Sequence, residues 1–130
     1  VRDVNDGNQY KILVDGEIVM AFSVCYTDRV IWREKEDGSS IYLHRVVVNP
    51  AFKGQRLFGE LLRWTEEHAR EKGLRTIRMD TWDKNPPLLA YYQSYGFVVI
   101  EHYTLPDSPE LPVHNRNMAV ILLERPLVSY

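Results

Sequence analysis

The chain has 130 residues, of which 45% are apolar, and a formal net charge of -2. That is enough apolar side chain for one real core in a single domain, residues 1–130. The near-neutral balance argues against a nucleic-acid-binding domain, which usually shows a strongly basic face. One cysteine, Cys25, excludes an internal disulfide and fits a reducing cytoplasm. It lies in an apolar run, where an inert buried thiol is expected. No apolar run approaches the ~18 residues that a membrane-spanning helix needs, and no secretory signal is visible.

Residues 9–14 read as a strand. Asp15-Gly16 follows, a two-residue hairpin signal, because both turn positions need positive φ. Residues 18–26 form the returning strand. The charged stretch 33–40 ends in Asp-Gly-Ser-Ser and reads as an exposed turn. Residues 41–48 form a third strand, apolar enough near its end to be covered on both faces, and Asn49-Pro50 stops it.

Residues 54–72 read as a helix. Leu57, Phe58, Leu61, Leu62, Thr65, His68 and Ala69 recur at three- and four-residue steps and give one core-facing stripe. Gly73 is placed to end it as a left-handed cap. Residues 74–81 are another strand. Asn85 then reads as an N-cap with Pro86 at the first helical position. A short helix over 88–95 closes at Gly96, followed by a strand over 97–104, a proline-bearing loop over 105–115 and a last strand over 118–123. The order is β-β-β-α-β-α-β-β, an α/β (α+β) domain with a mixed sheet.

Three features carry chemistry. The strand–loop–helix through Phe52-Lys53-Gly54 presents free backbone N–H groups and the positive end of a helix dipole, which suit a phosphate or pyrophosphate. Gly54 permits close approach, and Lys53 and Arg56 add charge. An ordinary strand-to-helix turn would read the same way. Second, Tyr92 follows Asn85 by seven residues, and a tyrosine hydroxyl can protonate a leaving thiolate. Among so many neighbouring tyrosines it could equally be a core aromatic. Third, His44 stands on the strand before the loop, where a neutral imidazole could take a proton from an attacking amine. A half-buried structural histidine is the alternative, since no partner for it is visible in the sequence.

The run Tyr42-Leu43-His44-Arg45-Val46-Val47-Val48-Asn49-Pro50-Ala51-Phe52-Lys53-Gly54, with the amphipathic helix after it, resembles the acetyl-coenzyme A motif of the GNAT superfamily of N-acetyltransferases. Asn85 through Tyr92 to Gly96-Phe97 is similar to that superfamily's next motif. The resemblance implies a mostly antiparallel sheet that splays between strands 41–48 and 74–81, the fourth and fifth strands of the family, with helices on both faces. It implies acetyl-coenzyme A as co-substrate, with no metal. The pantetheine arm would bond backbone near Val46, Val47 and Val48. The pyrophosphate would rest on N–H groups of Lys53, Gly54, Gln55, Arg56, Leu57 and Phe58, and Asn85 would touch the coenzyme arm. Tyr92 matches the general acid, close to the coenzyme, and His44 falls where many members carry the base.

Two departures set further expectations. Lys53, Arg56 and Phe58 replace residues of the usual loop, so Arg56 has to turn outward and Phe58 has to face the core. Only residues 1–8 precede the strand at 9, where the family has a strand and two helices, so those elements are expected to be missing. Asp3, Asp6 and Gly7 then read as the tail of the second helix.

The implied activity is transfer of an acetyl group to a primary amine of a small molecule or peptide, by direct attack in a ternary complex. The alternative is a non-catalytic acyl-coenzyme A sensor or scaffold of the same fold; a domain that binds no coenzyme is a third reading. The expected partners are acetyl-coenzyme A and the amine, with no nucleic acid and no membrane. A homodimer paired through the last strand stays open. Glu34, Glu36 and Asp37 read as a solvated hairpin tip, and His114 as a surface residue.

Overall fold

A computed structural model describes residues 2–4, 9–14, 16–49, 57–107, 109 and 117–127. The elements are β1 (Arg2–Val4), β2 (Gln9–Val14), β3 (Glu17–Cys25), a one-turn helix α1 (Arg29–Trp32) running into a 3-10 turn (Arg33–Lys35), β4 (Ser40–Val48), α2 (Leu57–Glu71), β5 (Thr76–Trp82), α3 (Pro86–Gln93), β6 (Val98–Thr104) and β7 (Ala119–Pro126). Among the described residues, seven strands form one open sheet in the order β1-β2-β3-β4-β5-β7-β6. Only β4 and β5 run parallel; every other neighbouring pair is antiparallel.

Local chemistry explains most of these boundaries. Val14 pairs with Glu17 across a two-residue turn, and Gly16 sits at φ +82, as an Asp-Gly hairpin requires. Gly73 adopts φ +72 at the end of α2, and the Leu74 N–H bonds back to the Ala69 carbonyl, closing the helix. Asn85 caps α3 by accepting from the Leu88 N–H at 3.3 Å.

Side-chain alternation divides the sheet between two cores. Ile41 and Leu43 of β4, Ile77 and Met79 of β5, and Ile121 and Leu123 of β7 meet Leu57, Phe58, Leu61, Leu62 and Ala69 of α2 and Tyr92 of α3. The other face carries Tyr42, Val120 and Leu122, covered by Ile31 and Trp32 of α1 and by Leu105. Both long helices therefore lie on one face, and the one-turn helix covers the other. Arg125 ties the first layer together, since its guanidinium meets the Glu66 carboxylate on α2 and donates to the Tyr95 carbonyl beyond α3 at 2.8 Å.

Three expectations need correction. Residues 33–40 are not simply an exposed turn. Arg33 and Lys35 both engage Glu101 on β6, because α1 and its 3-10 turn fold back onto the sheet. Asp3 is not helical: Arg2–Val4 pairs antiparallel with β2. The last strand cannot offer an edge to a second subunit, because β7 is paired with β5 on one side and β6 on the other.

Beneath α1 lies a buried cation. Arg78 donates to Glu124 Oε1 at 2.9 Å, to the Tyr42 hydroxyl at 2.9 Å and to the Lys35 carbonyl at 3.0 Å. Its guanidinium also stacks 4.3 Å from the Trp32 ring. Burial, followed by the Glu36 bond, pushes the Tyr42 phenol well above its usual range, so it stays a neutral donor and acceptor. Removing the cation strands Glu124 and uncouples α1 from the sheet. Arg78→Ala is expected to destabilise the fold by about 3 kcal/mol in a urea titration, the cost of leaving half of a buried pair behind.

Candidate functional site

The site arises where β4 and β5 part. Their pairing is confined to Ser40↔Thr76, Ile41↔Ile77 and Tyr42↔Arg78. Beyond it, β4 follows β3 as far as Met20↔Val48, and β5 follows β7 as far as Trp82↔Val120. The β3–β4 register gives a reason for the parting. Ala21 faces Val47 but Ser23 faces His44, so residues 45 and 46 together oppose Phe22. Such a bulge bends a strand and re-aims its side chains.

The parted strands enclose a cleft of about 300 Å³. Leu43, His44 and Val46 of β4 line one wall, and Met79, Asp80, Thr81 and Trp82 of β5 the other. Leu88 and Tyr92 of α3 close one end; Ile31, Leu105, Met118 and Val120 contribute apolar surface. His44 and Tyr92, singled out separately in the sequence, thus share one cavity.

Two residues that the sequence reading did not single out complete it. His44 Nε2 lies 3.6 Å from Asp28 Oδ2, and one ligand atom each of Asp28, His44 and Asp80 lie within 4.8 Å of one another. Asp28 caps α1 through Oδ1, which accepts from the Ile31 N–H at 3.2 Å. Oδ2 is buried and accepts no hydrogen bond among the described residues. Burial raises both carboxyls above the ordinary aspartate range, with the nearby imidazole opposing the rise. Local signals for both were present. Asp28 precedes an apolar turn, an N-cap pattern, and Asp80 shares a strand face with Arg78 in a strand between Ile77, Met79 and Trp82, where a charge needs a partner.

Tyr92 is 8% exposed. Burial first, and then the negative charge of Asp80, raise its phenol above the ordinary tyrosine range, so it holds its proton at neutral pH. Its ring lies 5.2 Å from that of Phe58 and 6.3 Å from that of Phe97. Phe58 faces the core, as the loop departure required, with its ring also against Tyr91 and Tyr95. Leu57 is buried as well, so at the start of α2 these two residues present backbone, not side chain, to the outside.

The remaining sequence-selected residues are placed as follows. Val46 lines the cleft. Val47 points away and is 61% exposed; for Val48 the backbone position in β4 is described. Asn85 lies outside the cleft lining, its side-chain oxygen committed to the α3 cap. Lys53, Gly54, Gln55, Arg56 and His114 lie outside the described residues. Cys25 is half-buried. No helix among the described residues is long and apolar enough to cross a membrane.

Comparison with known proteins bears on this arrangement. The sequence model of the Acetyltransferase (GNAT) family matches residues 3–97. The chain is 33% identical over 70 residues to the uncharacterized N-acetyltransferase YesJ of Bacillus subtilis (strain 168), a match covering 54% of this chain and 39% of YesJ. It is 26% identical over 81 residues to the thialysine N-epsilon-acetyltransferase of Bos taurus, covering 62% of this chain and 45% of that protein. The chain therefore spans less than half the length of these curated relatives. Its fold is similar to that of an aminoglycoside 6'-N-acetyltransferase complexed with coenzyme A, with a TM-score of 0.67 at 12% identity, covering 94% of this chain and 73% of that one.

The buried carboxyl of Asp80 has a measurable consequence. Its folded-state value is raised, so the folded chain holds the proton more tightly than the unfolded chain does. Its contribution to stability is full below the ordinary aspartate value of about 3.9 and is lost as pH rises through the raised value. Asp80→Asn removes that loss. Thermal unfolding is expected to show Tm raised by roughly 2–6 °C at pH 7.5, with the gain vanishing at about pH 3.5.

Proposed function

The chain belongs to the GNAT family of acetyltransferases, and on that premise we propose that it moves an acetyl group from acetyl-coenzyme A to a primary amine by direct attack in a ternary complex. The observation that carries this reading is the meeting of His44 and Tyr92 in the cleft between the parted strands. A proton acceptor on β4 and a buried, protonated phenol on α3 are the two groups that amine attack and thiolate departure require.

The parted strands suit the coenzyme arm. From residue 43 onward β4 pairs with β3 on one edge, while its other edge faces the cleft without strand pairing to β5. An amide-bearing chain such as pantetheine can hydrogen-bond along such an edge as an added strand would. In this reading the backbone of Val46, Val47 and Val48 holds the arm. The pyrophosphate rests on N–H groups of the 53–58 segment at the start of α2, where Leu57 and Phe58 contribute through backbone alone. Asn85 contacts the coenzyme arm through its amide NH2 group, since its oxygen caps α3.

The acceptor reaches the cleft as a neutral amine, and His44 takes one proton from its nitrogen, directly or through water, as the new N–C bond forms. The amine nitrogen attacks the thioester carbonyl, and a backbone N–H of the open β4 edge meets the developing oxyanion. Tyr92 then gives its proton to the departing thiolate. The bovine relative's name specifies a thialysine ε-amine. By analogy we place the acceptor of this chain among basic alkyl amines, which the carboxylates of Asp28 and Asp80 would favour over neutral aryl amines.

Thiol release from acetyl-coenzyme A in the presence of an amine panel tests this. Tyr92→Phe is expected to lower kcat by about 10²- to 10⁴-fold with the KM for acetyl-coenzyme A nearly unchanged. Saturable coenzyme binding without turnover on any amine would instead favour a sensor, and absence of any thermal shift with acetyl-coenzyme A would refute both.

A further inference from the structure

Asp28 is held at three of its four polar atoms. Its N–H donates to Glu36 Oε1 at 2.9 Å, its carbonyl accepts from the Trp32 N–H at 3.0 Å, and its Oδ1 accepts from the Ile31 N–H at 3.2 Å. Trp32 is fully buried, and Arg33 and Lys35 anchor the following turn to Glu101 on β6. The fourth atom, Oδ2, is buried and faces His44 Nε2 at 3.6 Å. A carboxylate fixed this way cannot turn to follow the ring, so the ring must adapt to it.

We propose that Asp28 is a positioning residue: through Oδ2 it holds the His44 ring with its proton on Nε2, and so leaves Nδ1 as the atom that takes the proton of the acceptor amine. The proposal rests on the N-acetyltransferase reading above for the identity of the step, and on geometry for the residue. A carboxylate accepts only, so a neutral imidazole beside it carries its hydrogen on the facing nitrogen. At 3.6 Å the contact is longer than a hydrogen bond. It tightens when the amine's proton reaches Nδ1 and the ring becomes imidazolium, which the fixed carboxylate stabilises. The proton passes from the amine nitrogen to Nδ1 as the N–C bond forms, and no further reactant is needed. Asp80, on the opposite wall, also neighbours the ring, but its charge acts on Tyr92 as well and it has no helix cap to fix its direction among the described residues.

Asp28→Asn isolates this role from folding. The asparagine oxygen can cap α1 as the aspartate does, while its NH2 group, a donor, now faces Nε2. The ring proton is then expected to move to Nδ1, read directly from imidazole 15N chemical shifts of the neutral protein. Turnover should fall by about 10- to 100-fold, with the KM for acetyl-coenzyme A within about twofold. Asp28→Ser, which also caps but lacks the carboxylate, should lose turnover to a similar degree and guards against an asparagine variant that fails to fold. The 15N measurement needs no turnover, so it tests the Asp28–His44 pairing even if the acetyl-transfer reading fails. An unchanged ring tautomer in Asp28→Asn would overturn the proposal. So would wild-type turnover in that variant, with Asp80→Asn producing both effects instead.

Discussion

The structure depends on a parallel pairing that stops after three residues. Ser40, Ile41 and Tyr42 hold β4 to β5; beyond them each strand follows its antiparallel neighbour, and the sheet opens. The bulge at residues 45–46 lies within the stretch of β4 that has already left β5, and it bends that stretch further. A strand edge left without a strand partner needs hydrogen bonds from elsewhere, from water or from a chain with amides of its own. The cleft, its lining and the placement of His44 and Tyr92 all follow from that early parting.

The second face of the sheet serves the first. Arg78 is buried on it with Glu124, Tyr42 and Trp32, and its bond to the Lys35 carbonyl ties down the turn after α1. Arg33 sits at φ +52, a left-handed conformation that disfavours a long side chain. It is held by the Glu101 carboxylate, by the Ile31 carbonyl and by the face of Tyr103, 3.8 Å away. Such a residue persists only where its surroundings over-determine it. The product of these constraints is a one-turn helix whose N-cap carboxylate reaches the site. A helix this short has little stability of its own, so tertiary contacts maintain it.

Burial at the site opposes stability while it provides chemistry. Burial raises the Asp28 and Asp80 carboxyls against the opposing pull of the His44 imidazole, and burial followed by the Asp80 charge keeps the Tyr92 phenol protonated. Charged groups are costly to bury, and perturbed carboxyls concentrate where proteins do chemistry. Phe58 shows the opposite accommodation. Where the family loop has a small residue, this chain places a ring in the core against Tyr92 and Phe97, so the substitution adds packing behind the phenol.

Much of this was legible in the chain order alone. The helical stripe from Leu57 to Ala69, the Asp-Gly hairpin, the Gly73 cap and the Asn85-Pro86 helix start are local signals, each set by backbone preference or a 3.6-residue period, and each appears where those preferences place it. The resemblance to the acetyl-coenzyme A motif rested on the same contiguous residues. What neighbouring residues cannot encode is partnership across strands. Asp28, His44 and Asp80 are separated by 16 and 36 positions and meet only because β3, β4 and β5 lie side by side with α1 folded over them. Whether His44 has a partner, whether the last strand has a free edge and whether Arg33 and Lys35 face solvent were decided by sheet order and burial, which are properties of the assembled fold.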